Sequence, residues 1–330
     1  MTRPTLAEQS GGNETAIDVE EFRLDVIKGL DRPPQKFLSS KYLYDAVGSA
    51  LFETITLLPE YGLTRADERL LETCAPSLRE FFSAPPVVAE LGSGTGTKTR
   101  RVLNALTGMG DITYYPIDVS VAALERCQID LGQIPQVTLH PLASAYMDGL
   151  RQAVDLAPDG SPILVLFLGS SIGNFDRDVA AKFVGDVRRI LRPGDVFFLG
   201  TDLVKPADAL IAAYDDEIGV TAAFNRNVLS RINRELGGEF DISRFRHRAR
   251  WNATERRVEM HLEAVGGQEV GIQAAGCRVS FADGESIWTE SSHKFTCEEV
   301  AAMGRDAGFA CARQWTDPEW PFAESVLIAE

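Results

Sequence analysis

The sequence predicts an α/β fold: a parallel sheet covered on both faces by helices, joined to a second, smaller α+β piece. Three observations carry this. Between residues 86 and 200, short apolar runs alternate with amphipathic helical segments. Runs such as PVVAEL and ILVLFL are almost continuously apolar, as strands buried on both faces must be. After Asp202 the alternation stops, and a helix–helix–strand–strand pattern follows without the spacing of βαβ units.

Taken in order, Phe22, Val26 and Leu30 recur every four residues and form one face of a short helix, which Asp31-Arg32-Pro33-Pro34 ends. Residues 32–65 mix Pro, Gly and aromatics, including Tyr42, Tyr44 and Tyr61, with no sustained period. A helix is predicted over about 65–82, a strand over 86–91 and a helix over 98–106. A strand over 112–118 (ITYYPID), a helix over 121–131 and strands over 137–142 and 163–168 follow. A helix over 176–191 and a strand over 195–200 complete the alternation. The second piece reads as helices over about 207–218 and 222–235, then strands over 246–252, 258–264, 271–281 and 286–288. The chain ends in a helix over 298–307 and strands over 310–315 and 325–329. The last link, 316–324, is too short for a crossover helix, so those two strands pair antiparallel. Five βα strands closed by an antiparallel hairpin is the topology of class I methyltransferases.

Composition narrows the function. The formal net charge is −15, which disfavours nucleic-acid and anionic-membrane partners, because these need cations to replace counterions. No apolar run approaches the ~18 residues of a membrane-spanning helix. The five cysteines, Cys74, Cys127, Cys277, Cys297 and Cys311, form no CxxC pair and suit reduced thiols in a cytosol. Residues 1–18 read as a loose polar tail without the apolar stretch of a signal peptide. A cytoplasmic monomer is the expectation. The four histidines show no metal spacing, and no metal is expected.

The segment Glu90-Leu91-Gly92-Ser93-Gly94-Thr95-Gly96 joins the first βα strand to its helix. Glycines there permit a tight turn and let backbone approach a ligand that Cβ atoms would block. Thr97 stands where the dinucleotide fingerprint has its third glycine, and the ExGxGxG pattern resembles motif I of S-adenosylmethionine (SAM) methyltransferases. Asp118 ends the second βα strand, where a carboxylate can accept from both ribose hydroxyls or cap the next helix. The fourth strand leads into Leu168-Gly169-Ser170-Ser171-Ile172-Gly173-Asn174, which places Asn174 near any transferred group.

KYLYDAVGSALF, LLPEYGLTRADE, FLGSSIGN, GTDLVKPADALIAAYDDEIGVTAAFNRNVL, RWNATERRVEM and WTESSHKF closely resemble the histidine Nα-methyltransferase family of ergothioneine biosynthesis. The likeness runs from about residue 22 to the C-terminus. It implies SAM-dependent trimethylation of the α-amino group of free L-histidine to hercynine. It also implies a SAM domain over 66–204 plus 294–330 and a substrate-binding domain over 19–65 plus 205–293. The implied SAM contacts are Gly92, Lys98 and Asp118, set in the loop of Glu90, Gly94 and Gly96. The implied substrate contacts are Tyr61, Asn174, Tyr214, Glu290 and Ser292, with Tyr44, Gly169 and Ser171 as neighbours and Met260 as an apolar wall. One departure stands out. The family's adenine-contacting acid after the third βα strand is replaced by Ala145, followed by Tyr146, so Ser144, a backbone carbonyl or stacking must serve adenine.

The chemistry is coherent with these residues. Tyr61 and Asn174 would orient the amine as the catalytic pair, and Asn174 and Tyr214 would supply donors to the α-carboxylate. Glu290 and Ser292, two apart in an extended segment, face the same way and can meet both ring nitrogens of one imidazole. An indole has one N–H and no basic ring nitrogen, so tryptophan is the alternative substrate this pair disfavours. A non-enzymatic SAM-binding relative would not need the amine-orienting set, and a nicotinamide oxidoreductase would expect a different glycine pattern.

Overall fold

A computed structural model of the chain describes residues 19–330. The expectation of a loose tail falls on residues 1–18, outside the described residues. Helix α1 (Val19–Leu30) buries Phe22, Val26 and Leu30, the face its periodicity marks. After β1 (Lys36–Phe37) comes α2 (Ala46–Thr56), which the sequence reading leaves without structure. Asp45 caps it by accepting from the Gly48 amide at 2.8 Å. A Cβ on Gly48 would lie 1.7 Å from the Leu43 carbonyl oxygen, so only glycine lets this helix close on the preceding turn. The single helix predicted over 65–82 is two elements: α3 (Gly62–Cys74) and a 3-10 stretch, Ala75–Phe81. Pro76 stands at the join, where its missing N–H and its ring end the α-helical ladder.

The alternating region runs through β2 (Val87–Leu91), α4 (Thr99–Leu106), β3 (Ile112–Asp118) and α5 (Val121–Leu131). The strand predicted over 137–142 is broken at His140-Pro141 into β4 (Val137–Leu139) and β5 (Leu142–Ala143). Helix α6 (Tyr146–Leu156), absent from the sequence reading, covers the sheet before β6 (Ile163–Phe167), α7 (Arg177–Ile190) and β7 (Val196–Asp202). The second piece contains α8 (Ala207–Tyr214), α9 (Val220–Leu236), β8 (Phe245–Asn252), β9 (Arg257–Ala264), β10 (Gln268–Ile272), β11 (Cys277–Phe281) and β12 (Ser286–His293). The strand predicted over 271–281 is thus the hairpin β10–β11, and the short strand over 286–288 extends to His293. The chain returns as α10 (Cys297–Ala307), β13 (Phe309–Thr316) and β14 (Phe322–Ala329).

The large sheet has the order β13-β14-β7-β6-β2-β3-β4, with β5 also on β3. All pairings are parallel except those of β14, which runs antiparallel to β7 and β13, as the short last link requires. Chain order reverses at β2, so the loops after β2, β3 and β6 gather at one edge, the place where open α/β sheets bind ligands. The small sheet has the order β1-β12-β9-β8. Apolar residues of α1, α2, α3, α8 and α9 pack with it into one core, while two further cores fill the faces of the large sheet. The C-terminal end of β12 lies against the turn after β6: a Cβ on Gly173 would come 2.9 Å from the His293 carbonyl oxygen.

Candidate active site

Gly92, Gly94 and Gly96 all have φ in the left-handed region, at +70°, +52° and +70°. Their directions differ. A Cβ on Gly96 would come 2.6 Å from Leu131 and 2.8 Å from Cys127, so this glycine lets the loop pack on α5. A Cβ on Gly94 would point into open space, the direction from which a ligand can approach the backbone. A Cβ on Gly92 would come 3.2 Å from the Tyr146 hydroxyl. Asp118 ties the loop to β3 by accepting from the Gly94 amide and the Ser120 amide, both at 2.9 Å. Capping of α5 falls to Ser120, which accepts from the Ala123 amide at 3.2 Å. Glu90 is buried beneath the loop. It accepts from Thr99 at 2.7 Å and from the Tyr114 hydroxyl, and so braces the start of α4 rather than lining the crevice. Burial pushes its carboxyl up to about 7, against the pull of those two hydrogen bonds.

Ser144 and Tyr146 sit on the same edge. The Ser144 amide donates to the Asp118 carbonyl at 3.1 Å. The Tyr146 ring meets Phe167 edge-on at 5.6 Å, and burial, with Asp118 adding, pushes its phenol up to about 12. Lys98 donates to Asp67 at 2.6 Å, and the same carboxylate oxygen accepts from the Gly169 amide at 3.1 Å. Fully buried Asp67 thereby joins the loop after β2 to the loop after β6. An open glycine cradle, a carboxylate at the end of β3 and a half-exposed lysine fit a nucleoside carrying an amino-acid tail.

The loop after β6 turns sharply. Gly169 and Ser170 both have positive φ, +69° and +59°, and for Ser170 this is a strained conformation. The Ser170 hydroxyl repays it by accepting from the Asp202 amide at 2.9 Å. The Ser171 hydroxyl donates to the Leu168 carbonyl at 3.2 Å and is engaged within the turn. Asn174 ends the 3-10 turn Ser171–Asn174, half-buried, with its side-chain amide engaged by none of the described residues.

The second piece contributes the other wall. Glu290 and Ser292 lie on β12 opposite Met260 and Val258 of β9, so all four share one face of the small sheet. Glu290 is 6% exposed, with the Tyr44 hydroxyl nearby. Burial pushes its carboxyl up to about 7, while Lys294 and Tyr44 pull the other way. Tyr44 is partly exposed as a residue, and its ring packs against Phe52 and Phe224. Tyr214, the last residue of α8, lies 2.8 Å from the Ser292 hydroxyl. The Tyr61 and Tyr214 rings meet edge-on at 5.9 Å. Burial raises the phenols of Tyr61, Tyr214 and Tyr44 above their ordinary value.

Behind these hydroxyls is a charge cluster that sequence reasoning missed. The Lys294 ammonium, fully buried, donates to Tyr214 at 2.9 Å and to Ser292 at 2.8 Å, and pairs with Asp202 at 2.8 Å. Lys205 holds the other Asp202 oxygen, and Trp320 donates to that oxygen at 3.1 Å. Burial opposes the ionised Asp202, but the two lysines outweigh it and hold the carboxyl below its ordinary value. Burial drives Lys205 down to about 8, against the pull of Asp202. Two cations on one anion leave a net positive charge beside the Tyr214 and Ser292 hydroxyls. The family-like GVTAAFNRN segment has a structural role here. Buried Asn225 accepts from Thr289 at 2.6 Å and donates to the His261 carbonyl at 3.2 Å. Its amide also lies 2.8 Å from His247, whose other ring nitrogen meets the Tyr214 carbonyl at 2.7 Å. Of the remaining histidines, His140 stacks on Tyr115 and His261 on Trp288. Among the described residues, no group of three or more His, Cys, Asp or Glu is disposed to hold a metal ion.

Residues 22–329 match the family model described as histidine-specific methyltransferase, SAM-dependent. The chain belongs to this family. Two curated relatives carry the name histidine N-alpha-methyltransferase. The protein from Mycolicibacterium smegmatis is 41% identical over 94% of this chain and 95% of its own length. That from Mycobacterium tuberculosis is 42% identical over 92% and 94%. Ergothioneine biosynthesis protein 1 of Neurospora crassa is 29% identical over 94% of this chain and 36% of its own length. The large sheet is thus the class I fold of this SAM-dependent methyltransferase. The sequence-predicted residues converge on the edge after β2, β3 and β6 from both pieces of the methyltransferase. Glu90 and Gly96 stand behind the loop, and Asp67, Ser170, Asp202, Lys205 and Lys294 join the site. Signals for some were present: Asp67 lies in LLPEYGLTRADE, Lys294 in WTESSHKF, and Asp202 with Lys205 in GTDLVKP.

Proposed function

We infer that this chain transfers methyl groups from SAM to the α-amino nitrogen of free L-histidine, three in succession, to give hercynine, the first step of ergothioneine biosynthesis. One observation carries the substrate assignment: a buried carboxyl, Glu290, shares one face of β12 with Ser292, whose hydroxyl meets that of Tyr214. An acid buried at such cost needs a partner, and an imidazole N–H is one. Ser292, on the same face of β12 and bonded to Tyr214, would meet the second ring nitrogen. Lys294 donates to both hydroxyls and one hydroxyl donates to the other, so one proton of the pair is left to point outward, toward an acceptor on the substrate. The positive cluster behind them suits an α-carboxylate, to which Tyr214 and Asn174 donate.

SAM, when bound, supplies a methyl group on a sulfonium that an amine lone pair displaces in line. The chain's part is to hold that amine neutral and about 3–3.5 Å from the methyl carbon. Tyr61 and Asn174, from the N-terminal segment and the loop after β6, orient it. On the SAM side, Gly92 and Gly94 admit the nucleoside, Asp118 takes the ribose hydroxyls, Lys98 faces the methionine carboxylate, and Ser144 with Tyr146 borders adenine. The same reading assigns 66–204 with 294–330 to SAM and 19–65 with 205–293 to substrate. The core uniting the N-terminal helices with the small sheet supports that division, with Ala66 and Leu70 of α3 and Phe322 of β14 reaching into it from the other side of the boundary. The chain is read as a cytoplasmic monomer, its five scattered cysteines suiting reduced thiols. Calorimetry tests the assignment. With S-adenosylhomocysteine present, histidine is expected to bind and tryptophan to bind far more weakly; the reverse order refutes the reading.

A further inference from the structure

Asp67 and Glu324 are both fully buried, yet Asp67 Oδ1 and both Glu324 oxygens find no donor among the described groups. Three orphaned acceptors in one place cost several kcal/mol if both groups are carboxylates. The strain disappears when one of the two is a neutral acid, because an O–H can then donate to the other. The surroundings decide which. Asp67 Oδ2 already accepts from the Lys98 ammonium at 2.6 Å and from the Gly169 amide at 3.1 Å, so Asp67 is the anion. Glu324 lies on β14 opposite Gly200 of β7, and a Cβ on Gly200 would come 3.0 Å from its Oε1. The missing side chain makes room for the carboxyl. The charged groups facing Glu324 are Asp67 from α3 and Lys98 from the glycine loop. Burial, and next the Asp67 charge, drive its carboxyl well above the ordinary range.

We propose that Glu324 is a positioning residue: as a neutral acid it donates to Asp67 Oδ1, and through Asp67 it fixes the Lys98 ammonium and the Gly169 amide at the methionine end of the SAM site. The charge count gives the reason. With Glu324 neutral, Asp67 and Lys98 cancel, and the lysine can receive the ligand's carboxylate. With Glu324 ionised, the cluster would be net negative and would repel it.

The inference rests on the reading of Lys98 as the carboxylate contact, and the experiment separates the two. SAM affinity is measured by calorimetry on the full chain for wild type, Glu324→Leu, Glu324→Gln and Lys98→Met, with thermal melts alongside. Glutamine keeps a donor and no charge; leucine keeps neither donor nor acceptor. The expected result is a loss of about tenfold or more for Glu324→Leu and recovery to within about threefold for Glu324→Gln. The loss should appear in KM for SAM with little change in kcat, since the methionine carboxylate is remote from the transferred methyl. Equal damage in both Glu324 variants, or wild-type affinity in Glu324→Leu while Lys98→Met is weakened, overturns the inference alone. Wild-type affinity in Lys98→Met overturns the underlying reading as well. If Glu324→Leu does not fold, infrared spectra at about pH 9, above the value of about 7 for Glu90 and Glu290, decide the matter. A protonated-carboxyl band that Glu324→Gln removes supports the proposal, and its absence from wild type overturns it.

Discussion

Replacing Glu290 by alanine removes the acceptor that the account pairs with the imidazole N–H. The residue is 6% exposed, so water does not substitute freely for the lost group. A charge-assisted hydrogen bond contributes about 1.5–3 kcal/mol, and a ring N–H left unpaired in a buried pocket adds to that. Together these predict a fall of roughly 2–4 kcal/mol in kcat/KM for histidine, or roughly 30- to 1000-fold. Most of it should lie in KM, because the ring binds alike in ground and transition states. The pH dependence gives a second handle. Burial raises Glu290 to about 7, so the carboxyl is neutral below that value and accepts as an anion above it. Histidine kcat/KM should therefore rise as pH increases through about 7, and Glu290→Gln should lack this inflection. The substrate's own titrations are common to both enzymes and cancel in the ratio. The assay is S-adenosylhomocysteine release at several pH values with histidine or tryptophan. Unaltered histidine kinetics in Glu290→Ala, or the same pH profile in Glu290→Gln, would refute the reasoning.

Gly94→Val should fold with a modest fall in Tm, because its Cβ meets open space, and lose SAM affinity by tenfold or more in calorimetry. Lys294→Met should cost about 3 kcal/mol in denaturant unfolding, the low end for breaking a buried ion pair, because Lys205 still serves Asp202. The methionine should also depress activity on histidine and tryptophan alike, since it strips the donor from both Tyr214 and Ser292. Mono- and dimethylhistidine should be accepted as substrates; mass spectra that stop at one methyl group under excess SAM would contradict the trimethylated product.

The strands of the large sheet were legible because burial on both faces makes them apolar throughout, and the closing hairpin followed from the length of its link. The misses share a cause. Helix α2 depends on Gly48 fitting under the Leu43 carbonyl, a contact that no periodicity encodes. The break between β4 and β5 and the turn between β10 and β11 come from sheet register, and helix α6 has no strong stop or start signal. In the site, residues with local patterns were readable: the glycine loop, Asp118 at a strand end, Glu290 and Ser292 two apart. Asp67, Asp202 and Lys294 were not, since their meaning lies in partners elsewhere in the chain, such as Asp202 some ninety residues before Lys294 and Gly169 about a hundred after Asp67.

The measurement closest to the central claim is product analysis by mass spectrometry after incubating the full chain with SAM and a panel of free amino acids. The account predicts that histidine is consumed in preference to all others and ends with three methyl groups on its α-nitrogen. Preferential methylation of tryptophan or another amine, or of an imidazole nitrogen of histidine, would contradict it.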